Sequence, residues 1–256
     1  MKTNFINDPF SLERYRAELV SKGEYKKLVT TYSRRLPEIK DINTGHFWNK
    51  KFLSKAGNED GPMAEDRVKI VFNEIKRKQG KLLDIGFGIG GLEKKLARVN
   101  GIKVFGIDIS EYAVKKARGN LRGEFRKSNV LKIPYEEEYF DFVIAMEVLE
   151  HILPSKIFIA LNEIKRVLKG NGELIMSVPL NEGLEELIKR GVNPNGHVRI
   201  YTPELVFAEL KISGFRVQKR KLLYAFRNLY TLKKTLQNTI MKKRWKPNNL
   251  IIFARK

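Results

Sequence analysis

The chain has 256 residues, of which 42% are hydrophobic, so it can bury one sizeable α/β core with an appendage but not two large domains. No apolar run approaches the roughly 20 residues of a membrane span, and the first residues lack the apolar stretch of a secretory signal, so we predict a cytoplasmic protein. Cysteine is absent, which excludes disulfides, thiolate metal sites and cysteine nucleophiles.

The net charge of +21 is unevenly distributed, because residues 210–256 contain 14 Lys or Arg and no Asp or Glu. This pattern predicts an anionic partner such as nucleic acid, a phospholipid surface or a phosphorylated substrate. The alternative is that the charge serves only solubility.

The first 60 residues carry short helical patterns at 10–19 and 25–36, then the aromatic stretch GHFWNKKF at 45–52 and a turn-rich segment. We predict a helical N-terminal lead-in or cap over residues 1–60. Phe47 and Trp48, with His46 beside them, are candidates either to cover a substrate pocket or simply to pack on the core. Pro62 then stands where a helix can begin, and the helical spacing continues to Gly80.

Beyond Gly80, short apolar strands alternate with amphipathic helices, which predicts a parallel sheet with helices on both faces. The predicted helices lie near 91–99, 111–119, 155–168 and 203–212. The predicted strands are 81–86, 103–108, 124–129, 140–146, 172–178, 215–222 and 249–255. The expected fold is therefore α/β, a Rossmann-like, seven-stranded, mostly parallel sheet whose last strand is antiparallel, forming one catalytic domain over 61–256.

Four glycines, Gly86, Gly88, Gly90 and Gly91, stand between the first strand and the next helix, where they let the backbone approach a ligand. The spacing also satisfies the dinucleotide pattern GxGxxG, so the loop alone is ambiguous. Asp84 favours S-adenosylmethionine (SAM) over NAD, since a carboxylate at the strand end would repel a pyrophosphate but hold an ammonium. Asp108 has the spacing of an acid that binds the two ribose hydroxyls, which suits both cofactors.

Several motifs in order resemble the class I SAM-dependent methyltransferase superfamily, particularly its ubiquinone-type and sugar methyltransferase branch. Over roughly residues 62–256 they are LLDIGFGIGG, VFGIDIS, KSNVLKIPYEEEYFDFVIAMEVLEHI and GHVRIYTPELVFAELKISGFRV. The chain departs from the family at Phe87, where cysteine is common, and at Asn129, where an Asp often receives the adenine amine. Tyr112 and Lys116 form a YxxxK pair, but on a helix away from the place where a dehydrogenase would need it.

The resemblance implies a role for each matching position. Asp84, Gly86, Gly88 and Gly90 would shape the methionine pocket, Asp108 and Ile109 would hold the ribose, and Met146 would lie along the sulfonium. Asn129 and Val130 would contact the adenine. For Ile109 and Val130, simple core packing is the alternative.

Glu147, Glu150 and His151 follow the fourth strand at i, i+3 and i+4, so a helix there would place them on one face. His197 falls in the loop after the fifth strand, at the same edge of the sheet. One hypothesis makes His151 or His197 a general base for a hydroxyl acceptor, with Glu147 beside it. A second makes Glu147, Glu150, His151 and His197 a divalent metal site, with Mg or Mn as the leading candidates. This arrangement resembles the ExxEH…H site of small-RNA 2′-O-methyltransferases, while a third reading is that EVLEH only caps and orients its segment.

The sequence defines the substrate that would accept the methyl group less closely than it defines the cofactor. No Asn/Asp-Pro-Pro-Tyr/Phe motif follows the fourth strand, which disfavours methylation of exocyclic base amines, and the absence of cysteine disfavours cytosine C5. We expect O-methylation of a small-molecule, sugar or lipid-linked acceptor. RNA ribose 2′-O-methylation and a non-catalytic SAM-binding subunit are the alternatives.

A basic amphipathic insert is predicted at about 223–246. Its apolar stripe comprises Phe226, Leu229, Leu232, Leu236 and Ile240, and Arg227, Lys233, Lys234, Lys242, Lys243 and Arg244 supply charge. One interpretation is peripheral contact with anionic lipid or a phosphate-linked acceptor. The other is a helix that packs its stripe on the sheet and leaves its charges in water.

Overall fold

A computed structural model describes residues 41–54, 61–226, 228–240 and 244–256. The predicted helices at 10–19 and 25–36 therefore lie outside the described residues. Of the predicted N-terminal lead-in, the structure describes one helix, α1 (Gly45–Leu53), which begins after Thr44, whose hydroxyl accepts from the Phe47 N–H.

The remaining elements follow the predicted alternation of helices and strands. The helices are α2 (Pro62–Ile75), α3 (Gly91–Leu96), α4 (Glu111–Asn120), α5 (Ile157–Val167), α6 (Leu184–Lys189), α7 (Pro203–Ile212) and α8 (Tyr230–Thr239), with 3-10 turns at Leu149–His151 and Pro154–Lys156. The strands are β1 (Gly80–Ile85), β2 (Ile102–Asp108), β3 (Glu124–Lys127), β4 (Phe140–Met146), β5 (Leu168–Pro179), β6 (Arg216–Leu223) and β7 (Asn249–Arg255). Pro62 opens α2, as its fixed φ and missing N–H favour.

The seven strands form one sheet in the order β3-β2-β1-β4-β5-β7-β6. The strands from β3 to β5 pair in parallel, whereas β7 pairs antiparallel with both β5 and β6. The prediction of a Rossmann-like, mostly parallel sheet with an antiparallel last strand is confirmed. Because the parallel strands share a direction, their carboxyl ends meet at one edge.

The sheet is buried on both faces. Along β1, Leu82 packs in a cluster with Val71 and Ile75 of α2, while its neighbour Leu83 packs in a second cluster on the opposite face, which α5 and α7 also supply. This two-sided burial is typical of parallel sheets with helices on each face. At one end of the sheet, β6 pairs with β7 alone among the strands of the described residues, and it carries Arg216, Lys219, Arg220 and Lys221.

The insert between β6 and β7 forms α8, but its apolar stripe does not pack on the sheet. Leu229 is 67% exposed, Leu232 55% and Ile240 79%, whereas the polar Gln237 is only 2% exposed. The packed-stripe interpretation is therefore wrong for these three residues, because α8 docks through a polar face. Within the described residues, no helix is both long enough and apolar enough to cross a bilayer.

Candidate active site

The glycine loop after β1 turns through left-handed backbone conformations. Gly86, Gly88 and Gly90 have φ of +69°, +57° and +77°. A Cβ at Gly86 would also lie 2.8 Å from the Val148 side chain. Only glycine adopts this sequence of conformations without strain, so the close turn from β1 into α3 depends on these residues.

The Asp108 carboxylate joins this loop to the end of β2. Its two oxygens accept from the Gly88 N–H at 3.0 Å and the Ser110 N–H at 2.8 Å. Burial raises the pKa of Asp108 to about 6, and these backbone donors oppose the shift. Each oxygen keeps lone pairs for a further donor.

Asp84 is buried at the end of β1 rather than open to solvent, with Glu93 of α3 beside it. Burial, together with the charge of Glu93, raises the pKa of Asp84 well above its usual range, and burial also raises the pKa of Glu93. Glu93 was missed by the sequence reasoning. The available signal was its place beside Leu92 and near Leu96, both buried residues of α3.

The other predicted cofactor residues differ in exposure. Val130 is buried in the core. Phe87, which was not assigned to the cofactor, packs edge-on against Phe125 at 5.0 Å between ring centroids. Ile109 and Met146 are half-buried. Asn129 is exposed, and its side-chain oxygen accepts from the Leu131 N–H at 2.9 Å.

Helix α1 lies across the carboxyl edge of the sheet. Asn49 Oδ1 accepts from the Ser110 hydroxyl at 2.7 Å and from the Tyr112 N–H at 3.1 Å. The Phe52 ring would lie 3.6 Å from a Cβ at Gly88, and the Trp48 ring meets His151 edge-on at 4.9 Å. These contacts place α1 as a roof over the glycine loop and the histidines.

Glu147 does not share a helical face with Glu150 and His151. Its φ is +54°, and the 3-10 turn begins only at Leu149, so the helix assumed for the i, i+3, i+4 pattern is absent from this segment. The predicted shared face is therefore wrong.

The Glu147 carboxylate is instead bound from several elements. Ser177 of β5 donates its hydroxyl at 2.6 Å, and the Asn249 amide of β7 donates at 2.8 Å. Arg67 of α2 forms an ion pair at 3.3 Å, with both side chains largely buried. Glu147 thus ties α2 to the sheet at the edge of the site.

The remaining predicted residues do come together. One oxygen or ring nitrogen from each of Glu150, His151 and His197 lies within 4.8 Å of the others. Both Nε2 atoms are 4.0 Å from Glu150 Oε1, beyond hydrogen-bond distance, and neither Glu150 oxygen has a hydrogen-bond partner among the described residues. Burial, with the charge of Glu147, raises the pKa of Glu150 well above its usual range.

In each imidazole, the Nδ1 atom lies within hydrogen-bond distance of an oxygen. His151 Nδ1 lies 3.2 Å from the Gly196 carbonyl, and His197 Nδ1 lies 2.5 Å from Glu182. A carbonyl only accepts, so His151 Nδ1 carries the proton and its Nε2 presents a lone pair towards Glu150. Burial lowers the pKa of His151 to about 3, which also favours the neutral ring. Glu182 was missed in the sequence, where nothing but its place after β5 marked it.

A buried network fixes the loop that carries His197. Arg199 pairs with Glu209 of α7, whose other oxygen accepts from the Tyr201 hydroxyl at 2.9 Å. The Val198 N–H donates to the Glu150 carbonyl at 3.0 Å, joining the loop to the turn after β4. The two histidines are therefore positioned by packed elements.

A cleft of about 330 Å³ opens beside Glu147. Its walls come from the start of α2 and from the segment between β6 and α8, and include Pro62, Met63, Arg67, Glu147, Phe226 and Tyr230. Such a volume suits part of a small organic molecule.

Comparisons with known proteins agree with this architecture. Residues 83–176 match a family model described as a methyltransferase domain. The chain belongs to the class I SAM-dependent methyltransferase superfamily.

Two relatives cover most of this methyltransferase. An uncharacterized protein of Methanocaldococcus jannaschii is 28% identical over 211 residues, which are 77% of this chain and 88% of the relative. Sterol 24-C-methyltransferase of Saccharomyces cerevisiae is 35% identical over 76% of this chain, but the match spans only 54% of the yeast enzyme. A crystal structure of a SAM-dependent methyltransferase from Archaeoglobus fulgidus has a TM-score of 0.63 at 21% identity, covering 81% of this chain and 99% of that one.

The buried Arg67–Glu147 pair yields a stability prediction. Replacing Arg67 with Met leaves the Glu147 carboxylate without its cation, and we expect a loss of about 3 kcal/mol in the free energy of unfolding. Arg190→Met is the matched control, because Arg190 pairs with Glu186 in an exposed position and should change stability by less than about 0.5 kcal/mol. Urea denaturation measures both, and equal losses would contradict the assignment.

Proposed function

We propose that this methyltransferase transfers the SAM methyl group to a hydroxyl of a small-molecule or lipid-linked acceptor. The observation that carries the proposal is the cluster of Glu150, His151 and His197 beneath Trp48, at the same edge as the glycine loop. Hydroxyl methylation needs a group that holds or removes a proton, whereas the sulfonium is already activated.

For the cofactor, we assign the ribose hydroxyls to Asp108, whose backbone donors leave lone pairs unused on both oxygens. Gly86, Gly88 and Gly90 give the methionine portion close access to the backbone, and the acids at Asp84 and Glu93 favour its ammonium. Met146 lies along the sulfonium, Ile109 contacts the ribose, and Asn129 and Val130 contact the adenine in this assignment. Helix α1 belongs to the N-terminal cap (1–60) and the catalytic domain is 61–256.

The cluster of Glu150, His151 and His197 fits a divalent cation. The Glu150 carboxylate, which has no hydrogen-bond partner among the described residues, and the two imidazole nitrogens facing it form a donor set. The Gly196 carbonyl and the Glu182 carboxylate bind the other ring nitrogens and so fix the orientation of each ring. Of Mg²⁺ and Mn²⁺, the two nitrogen donors favour Mn²⁺. A bound cation would lower the pKa of an acceptor hydroxyl. Glu147 is assigned a positioning role, because Ser177, Asn249 and Arg67 already occupy its carboxylate.

The chain's own residues then do the positioning. The roof helix α1 excludes water from the edge, and the cleft at Arg67 and Glu147 admits the acceptor. The acceptor oxygen forms its bond to the methyl carbon as the carbon–sulfur bond breaks, leaving S-adenosylhomocysteine. If the cluster works without a metal, the hydroxyl proton goes to His197 Nε2, with Glu182 stabilising the resulting imidazolium through Nδ1.

Cofactor affinity should depend on the ionisation of Asp108. Only the carboxylate can accept from both ribose hydroxyls, so the affinity for S-adenosylhomocysteine should hold above pH 7 and fall by up to about tenfold per unit below pH 6. Asp108→Asn should bind at least about tenfold more weakly at pH 7.5.

Calorimetric titrations between pH 5 and 8 measure this dependence. Because Asp84 and Glu93 also titrate nearby, the comparison of wild type with Asp108→Asn isolates the contribution of Asp108. Asp141→Asn is the matched control, since Asp141 binds the Lys81 N–H at the start of β4, far from the carboxyl edge. An unchanged affinity in Asp108→Asn would refute the ribose assignment.

Metal binding is tested on the chelator-treated protein by calorimetric titration with Mn²⁺ and by the electron paramagnetic resonance of the bound ion. We expect one site in the wild type and at least about a tenfold loss of affinity in Glu150→Gln, since an amide is a poor ligand. Glu186→Gln, an exposed change on α6, should bind like the wild type. Absence of Mn²⁺ binding to the wild type would exclude the metal and leave His197 as the proton acceptor.

The acceptor class is tested with SAM labelled in its methyl group, incubated with separate lipid, small-molecule and RNA fractions. We expect label in the lipid or small-molecule fraction with the wild type and, at subsaturating SAM, at least about tenfold less with Asp108→Asn. Label confined to nuclease-sensitive RNA would replace the proposal with ribose methylation. Cofactor binding without transfer to any fraction would support the non-catalytic subunit.

A further inference from the structure

We propose that α8 and the aromatic residues beside it dock on an anionic lipid bilayer, so that the acceptor is drawn from a membrane surface. This inference rests on the proposed function, because it names the lipid-linked class among the acceptors. The evidence comes from which face of α8 the protein itself uses.

The protein holds α8 through polar groups. Tyr230 donates its hydroxyl to Asp66 of α2 at 2.6 Å, and Lys234 binds the same carboxylate at 2.5 Å. Gln237, one turn further along, is buried. These three residues share one side of the helix, so the apolar side is turned elsewhere.

The apolar side faces solvent. Leu229, Leu232, Leu236 and Ile240 are spaced for one stripe; three of them are more than half exposed and Leu236 is half-buried. Among the large hydrophobic side chains of the described residues, only Leu53, Ile159 and Val192 are comparably exposed. A contiguous exposed apolar stripe marks an interaction surface.

The surroundings of the stripe match an anionic interface. Lys233 and the exposed Arg244 and Lys246 lie on or next to α8, and residues 210–256 contain no acidic side chain to oppose them. Next to the helix, the Phe226 ring meets Trp245 at 5.2 Å and Tyr230 at 6.1 Å. Apolar, aromatic and basic side chains together are typical of helices that lie in the headgroup region.

The same segment leads to the reacting edge. Phe226 and Tyr230 line the same cleft as Glu147, which follows β4. A bilayer held against α8 would therefore lie at the mouth of the cleft. A lipid-borne hydroxyl could then enter without crossing water.

The test measures cosedimentation of the full chain with sucrose-loaded vesicles of 30% phosphatidylglycerol in phosphatidylcholine, and with pure phosphatidylcholine vesicles. We expect binding to the anionic vesicles, at least tenfold weaker binding to the neutral ones, and weaker binding at high salt. The double variant Leu232→Ser/Ile240→Ser should lose at least tenfold in partitioning, because the altered side chains are those that would enter the headgroup region.

The control is Ile159→Ser/Val192→Ser, which removes exposed apolar side chains elsewhere and should bind as the wild type does. Both double variants should keep the wild-type melting temperature, since none of the four side chains is buried. Absence of wild-type binding to anionic vesicles, or equal binding by Leu232→Ser/Ile240→Ser, would overturn the inference. Salt-sensitive binding to RNA without any binding to vesicles would assign the charge to nucleic acid instead.

Titration of each variant with S-adenosylhomocysteine separates this inference from the proposed function. Vesicle binding needs no cofactor. If vesicle binding is absent while cofactor binding and methyl transfer are intact, only the inference of a membrane-docking surface is rejected. Failure of cofactor binding with vesicle docking intact would remove the proposed function alone.

Discussion

The burial of the central strands on both faces of the sheet determines where this protein can place its polar and charged side chains. Neighbouring residues such as Leu82 and Leu83 pack in apolar clusters on opposite faces, so neither face of the central sheet has room for charged side chains. Polar groups can leave the core only where strands end. Asp84, Asp108 and Glu147 stand at the ends of β1, β2 and β4, and the histidines follow in the adjoining turns.

Several carboxylates lie at one edge of the sheet, and each buried carboxylate needs hydrogen bonds or an opposite charge. Parts of the chain that are distant in sequence supply most of these partners. Asp108 is held by two backbone N–H groups, while Glu147 is held by side chains from α2, β5 and β7. The two side-chain oxygens of Glu150 receive no hydrogen bond from the described residues, in contrast to the carboxylates of Asp108 and Glu147. An unbound buried carboxylate is costly in a folded protein unless another ligand offsets it, and this contrast is why the cluster, rather than Glu147, carries the metal assignment.

The order of elements and most of the edge residues could be predicted from the sequence, because period and glycine spacing are local properties. β4 and β7 were predicted to the residue, and His151 and His197 were correctly expected at the same edge. Contacts between residues that are distant in sequence could not be predicted. The helical face assigned to Glu147 ignored its left-handed backbone, and Arg67 and Glu182 have no local signal that predicts their partners.

The amphipathic insert is a second case in which the sequence predicted the local pattern but not its tertiary contacts. Its stripe was visible in the sequence, but periodicity only groups side chains on a face; it does not say what that face meets. Asp66 of α2 binds Tyr230 and Lys234, and Gln237 is buried on the same side of α8, so the leucines lie on the outer side. The orientation of α8 therefore depends on polar contacts with distant residues.

The basic outer strand β6 has a further consequence, for association between copies of the chain. An edge strand offers unpaired backbone groups that can extend a sheet into a neighbouring molecule. Lys219 is already paired with Glu74, but two copies meeting through β6 would still bring Arg216, Arg220 and Lys221 of each close to the same residues of the other. Like-charge repulsion opposes that pairing, so the excess charge also protects the open end of the sheet from intermolecular strand addition and aggregation.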